Sequence, residues 1–216
     1  VTSPAKPHLI PLWIKLAYTA FMAVLIPVYL YHYGPTNFLY FCDVAAVMTL
    51  IAVWLESPFL ASAALVGIFV PQMVWVVDFF AELFGKPLTG LTNYMFDQQK
   101  PFYLRFLSFF HFWLPFLLMF LVKLLGYDRR GAFFWAALAL VLMPVCFFFM
   151  PEPGAYADAN IPQNINYVYG FSEKSEQTIM PRYVYFALVM VVLPVGVLLP
   201  THLFFAWLMP KARAAA

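Results

Sequence analysis

The sequence predicts an all-α fold: a polytopic integral membrane bundle of six transmembrane helices, in a single domain covering residues 1–216. Three observations carry this prediction. The chain is 64% hydrophobic and 10% charged with a mean hydropathy of +0.82, more apolar surface than a soluble domain of this length can hide. Its apolar runs are each long enough to cross about 30 Å of hydrocarbon at about 1.5 Å per residue. Short turns at YGPTN, LESPF and GYDRRG separate them, as tight helical hairpins require.

The first span covers 9–33, with Pro27 as a kink. The second covers 36–55, the third 58–84, the fourth 102–125, the fifth 131–150 and the sixth 183–208. Two longer loops, 85–101 and 151–182, join spans three to four and five to six. Six spans put both long loops on one membrane face and both termini on the other. Lys6, Lys123, Arg129, Arg130, Lys211 and Arg213 flank spans on the terminal face. Lys86, Lys100, Arg105, Lys174 and Arg182 do so on the long-loop face. Counting Lys and Arg near span ends therefore places the termini in the cytoplasm. The opening VTSPAKPH has no signal-peptide pattern. Glu56 and the turn at 128–130 read as solvated hairpin ends.

Composition also excludes function classes. A net charge of +2 without a basic run gives no footprint for nucleic acid. Two cysteines, Cys42 and Cys146, make neither a disulfide scaffold nor a zinc site.

The functional signal lies in ionisable residues inside spans, which usually face a bundle interior. Counting from the long-loop face puts Asp43 roughly 10 Å deep, Asp78 at a similar level and His111 roughly 13–15 Å deep. Asn37, Gln72 and Ser108 are neutral polar companions in the same half, and Ser108 lies one turn from His111. Pro71 and Pro115 can bend their helices and free carbonyls beside a cavity. The loop segment NINYVYG, with Asn164, Asn166 and Tyr167, is on the same face and can close over it. The expectation is one polar cavity lined by Asp43, Asp78 and His111. Cys42, adjoining Asp43, is a nucleophile candidate. A structural lock that merely packs the helices is the plain alternative.

Several stretches carry a resemblance: NFLYFCDVA, LASAALVG, PQMVWVVDFF, NYMFD, RFLSFFHFWLP, GYDRR, NINYVYG and LPTHL. Over nearly the whole chain they resemble a group of bacterial proteins labelled as membrane-associated. More distantly, the order of motifs is similar to the YwaF-like membrane proteins, the transmembrane phospholipid acyltransferases and the androgen-regulated threonine hydrolases. That pattern has a Cys-containing second helix, a later inward His and an Asn-Tyr motif before the last helix. Here these fall on Cys42, His111 and Asn166–Tyr167, with Tyr40 where the YwaF-like pattern has a His. The resemblance implies a bacterial inner-membrane protein.

The expected function is lipid acyl transfer or hydrolysis. His111 is the general base, Asp43 or Asp78 orients it, and Cys42 attacks the ester. Asn37, Gln72, Ser108, Asn166 and Tyr167 line the substrate, and Asn166 or Asn37 polarises the carbonyl. Membrane lipids are the expected partners and no metal is assigned. The alternative is a non-catalytic accessory subunit of a membrane complex, its aromatic surface packing on other subunits or holding a carotenoid, quinone or pigment. Under it, His111 could be a porphyrin ligand, though no second His shares its depth. A proton relay through Asp43 and Asp78 is a third possibility.

Overall fold

The computed structural model describes residues 9–86, 88–157, 160–172 and 175–212. Lys6, Lys174 and Arg213, three of the cations counted for orientation, lie outside the described residues. The described chain is all-helical. Among the described residues its one β-bridge joins Tyr127 and Lys211.

The helices are α1 (Leu12–His32), α2 (Phe41–Leu55), α3 (Pro58–Leu83), α4 (Asn93–Phe96), α5 (Phe102–Ser108), α6 (Phe110–Leu125), α7 (Arg130–Phe149), α8 (Arg182–Val192) and α9 (Leu199–Leu208). Short 3-10 turns cover Pro35–Leu39 and Ile165–Tyr167. A π-helical turn at Leu193–Leu198 joins α8 to α9.

Among the described residues five helical stretches are long and apolar enough to cross a membrane: Leu12–His32, Pro58–Leu83, Phe102–Leu125, Arg130–Phe149 and Arg182–Leu208. The stretch 36–55 behaves differently. Gly34 takes a left-handed φ of 76° and Tyr40 an extended conformation, so the chain enters α2 through a separate 3-10 turn. The 15 residues of α2 span only about 22 Å.

α3 is the centre of the bundle, with 56% of its apolar window buried, against 17% for Arg182–Leu208. Small residues make this possible. Ala61, Ala63, Ala64 and Gly67 are buried on α3, where α2, α6 and α7 pack against it. The Trp135 ring lies over Gly67 so closely that a Cβ there would fall 1.8 Å from it. Gly131 opens α7 against the Phe59–Ala63 backbone in the same way.

The terminal-face turns are tied down more firmly than solvated ends. Glu56, the left-handed C-cap of α2, accepts from Leu9 N at 2.9 Å, Ile10 N at 3.2 Å and the buried Lys15 Nζ at 2.7 Å. Its side chain is 17% exposed, which corrects the expectation of a solvated end. Hydrogen bonds from Lys15 and the two amides outweigh its partial burial and hold the Glu56 carboxyl below the ordinary range. Asp128 is buried too, accepting Arg130 Nη2 at 2.7 Å, while its amide donates to Ser62 Oγ at 2.9 Å.

Candidate functional site

Three polar groups occupy the end of the bundle where α2 begins. The first is built on α2 itself. Asp43 is 3% exposed; its Oδ2 accepts from Asn37 Nδ2 at 3.2 Å and from Cys42 Sγ at 3.7 Å. Its buried Oδ1 has no hydrogen-bond partner among the described residues. Cys42 is partly buried at the second position of the helix.

The described part of the 151–182 loop touches this end. Asn166 is the point of attachment. Its Oδ1 accepts the Phe41 amide at 2.9 Å and its Nδ2 donates to the Leu39 carbonyl at 2.9 Å. Phe41 opens α2, so its N–H has no partner within the helix. Nδ2 also approaches Cys146 Sγ at 3.5 Å. Asn164 shapes the loop from within, donating to the Gly170 and Ser172 carbonyls and accepting the Tyr169 amide. Asn164, Asn166 and Tyr167 all take left-handed φ, which suits asparagine and strains tyrosine. The Tyr167 carbonyl accepts from Tyr185 Oη at 3.3 Å.

The second group surrounds His111. Span four is broken at Phe109, between α5 and α6. His111 Nδ1 reaches the Ser108 carbonyl at that break, at 2.7 Å. A carbonyl oxygen only accepts, so Nδ1 carries the proton and Nε2 of the neutral ring is left as an acceptor. The imidazole stacks on Trp75, 5.4 Å between centroids, and sits 4.1 Å from the Phe110 ring. Ser108 Oγ is 2.8 Å from Tyr29 Oη, and Tyr29 lies within electrostatic reach of Asp43. On the far side of the stack, Trp75 Nε1 donates to Tyr94 Oη at 3.1 Å. Burial holds the Tyr94 hydroxyl well above the ordinary phenol range against that hydrogen bond, so it stays neutral. Cys42, Tyr33 and Tyr167 are within its electrostatic reach.

Asp78 forms the third group and has a task of its own. It accepts from Leu88 N, Thr89 N, Thr92 N and Thr92 Oγ1, at 2.6 to 3.0 Å. These bonds fold the 85–101 loop back onto α3. Among the described residues no hydrogen bond or ion pair joins His111 to Cys42, Asp43 or Asp78. Gln72, 2% exposed and one turn from Trp75 on α3, has neither side-chain amide atom hydrogen-bonded among the described residues.

The structure thus brings Asn37, Cys42, Asp43 and Asn166 together at the start of α2. Ser108 and His111 share a second set of contacts, linked towards the first through Tyr29 and Tyr94. Those two tyrosines were missed because tyrosines near span ends read first as an aromatic belt. For Tyr29 the one signal was the recurrence of aromatic residues around a turn in YLYHYG. A cleft of about 460 Å³ between α1 and α6, lined by Trp13, Tyr18, Phe21, Trp113, Leu117 and Phe120 among others, lies on the opposite face of α6 from His111. Its lining is apolar and offers no chemistry. No three His, Cys, Asp or Glu residues among those described come together as a metal site. No family model, curated protein or solved structure matches the chain.

Proposed function

We propose that this is a bacterial inner-membrane protein that crosses the bilayer six times, with cytoplasmic termini, and transfers or hydrolyses the acyl group of a membrane lipid. The observation that carries the proposal is the contact of His111 Nδ1 with the Ser108 carbonyl at 2.7 Å. With Nδ1–H committed to the Ser108 carbonyl, Nε2 is a fixed proton acceptor in an apolar helix pack, the arrangement that a general base needs.

In this mechanism the Cys42 thiol turns from Asp43 towards Nε2 and gives up its proton. The thiolate attacks the ester carbonyl, forming an S–C bond, and the carbonyl electrons move to oxygen. The unpartnered Gln72 amide is a donor of the kind that oxyanion needs. The intermediate collapses, the C–O bond breaks, and the departing alkoxide takes the proton back from His111. A second alcohol, or water, then attacks the thioester with His111 again as base. Asp43, whose Oδ1 is open, steadies the imidazolium. Asn166 acts as the clamp that fixes the start of α2, because both ends of its amide are engaged there.

The test is purified protein in phospholipid vesicles, with acyl exchange and free fatty acid followed by mass spectrometry. Wild type should turn over lipid, and Cys42→Ala and His111→Ala should be inactive at unchanged thermal stability. Full activity in Cys42→Ala rules out the thioester route. A wild-type protein inert towards every glycerolipid class rules out the acyl assignment.

One observation favours a second reading, a binding or accessory subunit. Phe96, Phe79, Trp75 and His111 form a continuous aromatic column, with Trp75 near-parallel to Phe79 at 9° and to His111 at 21°. Such a wall suits a flat quinone or pigment ring. Organic extraction of the purified protein, followed by absorbance and mass spectra, would reveal such a ligand.

A further inference from the structure

Two cations stand near the proposed site without a carboxylate partner among the described residues. Lys100 Nζ lies 5.6 Å from the Tyr94 ring centroid and 5.8 Å from that of Tyr33. Arg105 donates Nη1 to the Met95 carbonyl at 3.2 Å, and its buried Nε has no hydrogen-bond partner among the described residues. The two side chains therefore meet α4 at consecutive residues, Tyr94 and Met95. The described ion pairs of the protein all lie elsewhere, at Lys15–Glu56, Arg130–Asp128 and Arg182 with Glu152 and Glu176.

This pair connects to His111 through two aromatic side chains. Tyr94 receives the Trp75 indole, Trp75 stacks on His111, and Cys42 is within electrostatic reach of Tyr94. The cations belong to the loop and first turn ahead of the Phe109 break, whereas His111 follows it, deeper in the span. A buried guanidinium nitrogen without an acceptor is costly, and two neighbouring cations favour an anion between them. A lysine point charge and an arginine fork together suit the oxygens of a phosphate. In a glycerophospholipid the phosphodiester is joined to the glycerol that bears the acyl esters, on the water side of them. In the proposed six-span arrangement the chain has the same order, since Lys100 and Arg105 precede His111 on entering span four from the long-loop side.

We infer that Lys100 and Arg105 form a phosphate site that seats the headgroup phosphodiester of a glycerophospholipid. The lipid class rests on the proposed function; the anion site does not. Neutral glycerides lack the group these cations recognise and are poor ligands.

The test is equilibrium binding to the full-length protein in neutral detergent micelles, read by native mass spectrometry. The probes are an ether-linked phosphatidylglycerol, the matching dialkylglycerol and inorganic phosphate. Ether lipids have no ester, so binding is read whether or not Cys42 reacts. Lys100→Gln should weaken the phospholipid about ten-fold, the loss of one charge-assisted contact. Lys100→Arg should restore most of it, and dialkylglycerol binding should not change. Equal phospholipid affinity in wild type and Lys100→Gln overturns the site. Lys100-dependent binding of inorganic phosphate without phospholipid binding overturns the headgroup assignment in favour of a free anion. Arg105→Gln provides a second variant, and its fold is checked by thermal unfolding.

Discussion

Asn166 grips the first residue of α2: its side-chain oxygen takes the Phe41 amide at 2.9 Å while its nitrogen gives to the Leu39 carbonyl. One side chain from the loop before α8 thus replaces the partners that the start of a helix lacks. Replacing it leaves a part-buried N–H and C=O unsatisfied, which costs about 1–3 kcal/mol. Asn166→Ala adds a non-glycine residue without hydrogen bonds at φ 59°, for about 1 kcal/mol more. Asn166→Gly removes that strain but not the lost bonds. Both variants should melt below wild type in detergent, Ala lower than Gly, with faster proteolysis of the 151–182 loop. Wild-type melting of both would mean the clamp contributes nothing.

Gly67 tests the α3–α7 contact. A methyl at this position would overlap the Trp135 ring at 1.8 Å. Gly67→Ala should destabilise by about 1–3 kcal/mol, the usual range for overpacking. Gly67→Ala with Trp135→Leu should recover part of the loss, since the second change makes room. Gly196→Ala is the control: its added methyl meets Val192 at an ordinary 3.5 Å, so it should be neutral or slightly stabilising. Melting curves in one detergent would decide both.

How much of this was legible in the sequence differs by residue. Apolar length and the turn residues located the helices, and Gly34–Pro35 already carried the signal for the break ahead of α2. The Asn164–Tyr167 segment, expected on the same face as the start of the second span, meets α2 through Asn166. Depth alone cannot give direction around a helix axis, however. Asp78 was assigned the level of His111, yet it turns to the 88–92 loop, where three backbone amides and the Thr92 hydroxyl offer four bonds at once. The three-residue spacing of Ser108 and His111 was visible, but not that the contact would be to a carbonyl freed at Phe109. That carbonyl exists only because the helix breaks, and no residue type announces the break.

Asp78 should therefore behave as a loop anchor. Asp78→Ala should speed hydrogen exchange at Leu88, Thr89 and Thr92, whose amides it now accepts, and leave exchange at Phe41 unchanged. Asp78→Asn keeps one acceptor oxygen and turns donors towards donors, so it should fall between Ala and wild type. Equal slowing or speeding across the α2 end would instead tie Asp78 to the Cys42–His111 group.

The terminal face makes a prediction about pH. Glu56 and Asp128 both have carboxyls held below their ordinary range. For Glu56, hydrogen bonds from Lys15, Leu9 and Ile10 outweigh its partial burial; for Asp128, the hydrogen bond from Arg130 is the main cause. A carboxyl with a lowered folded pKa binds protons more weakly than the unfolded chain does. Its contribution is fully present above the unfolded pKa, about 4.3 for Glu and 3.9 for Asp, and is lost as pH falls through the folded value. Melting temperature should thus fall as pH is lowered below about 5, where the unfolded carboxyls begin to take up protons. Glu56→Gln should melt lower at neutral pH, because the buried Lys15 loses its charge partner. Its melting temperature should also fall less steeply with acid than that of wild type. Parallel acid profiles for the two proteins would show that Glu56 is not the group that responds.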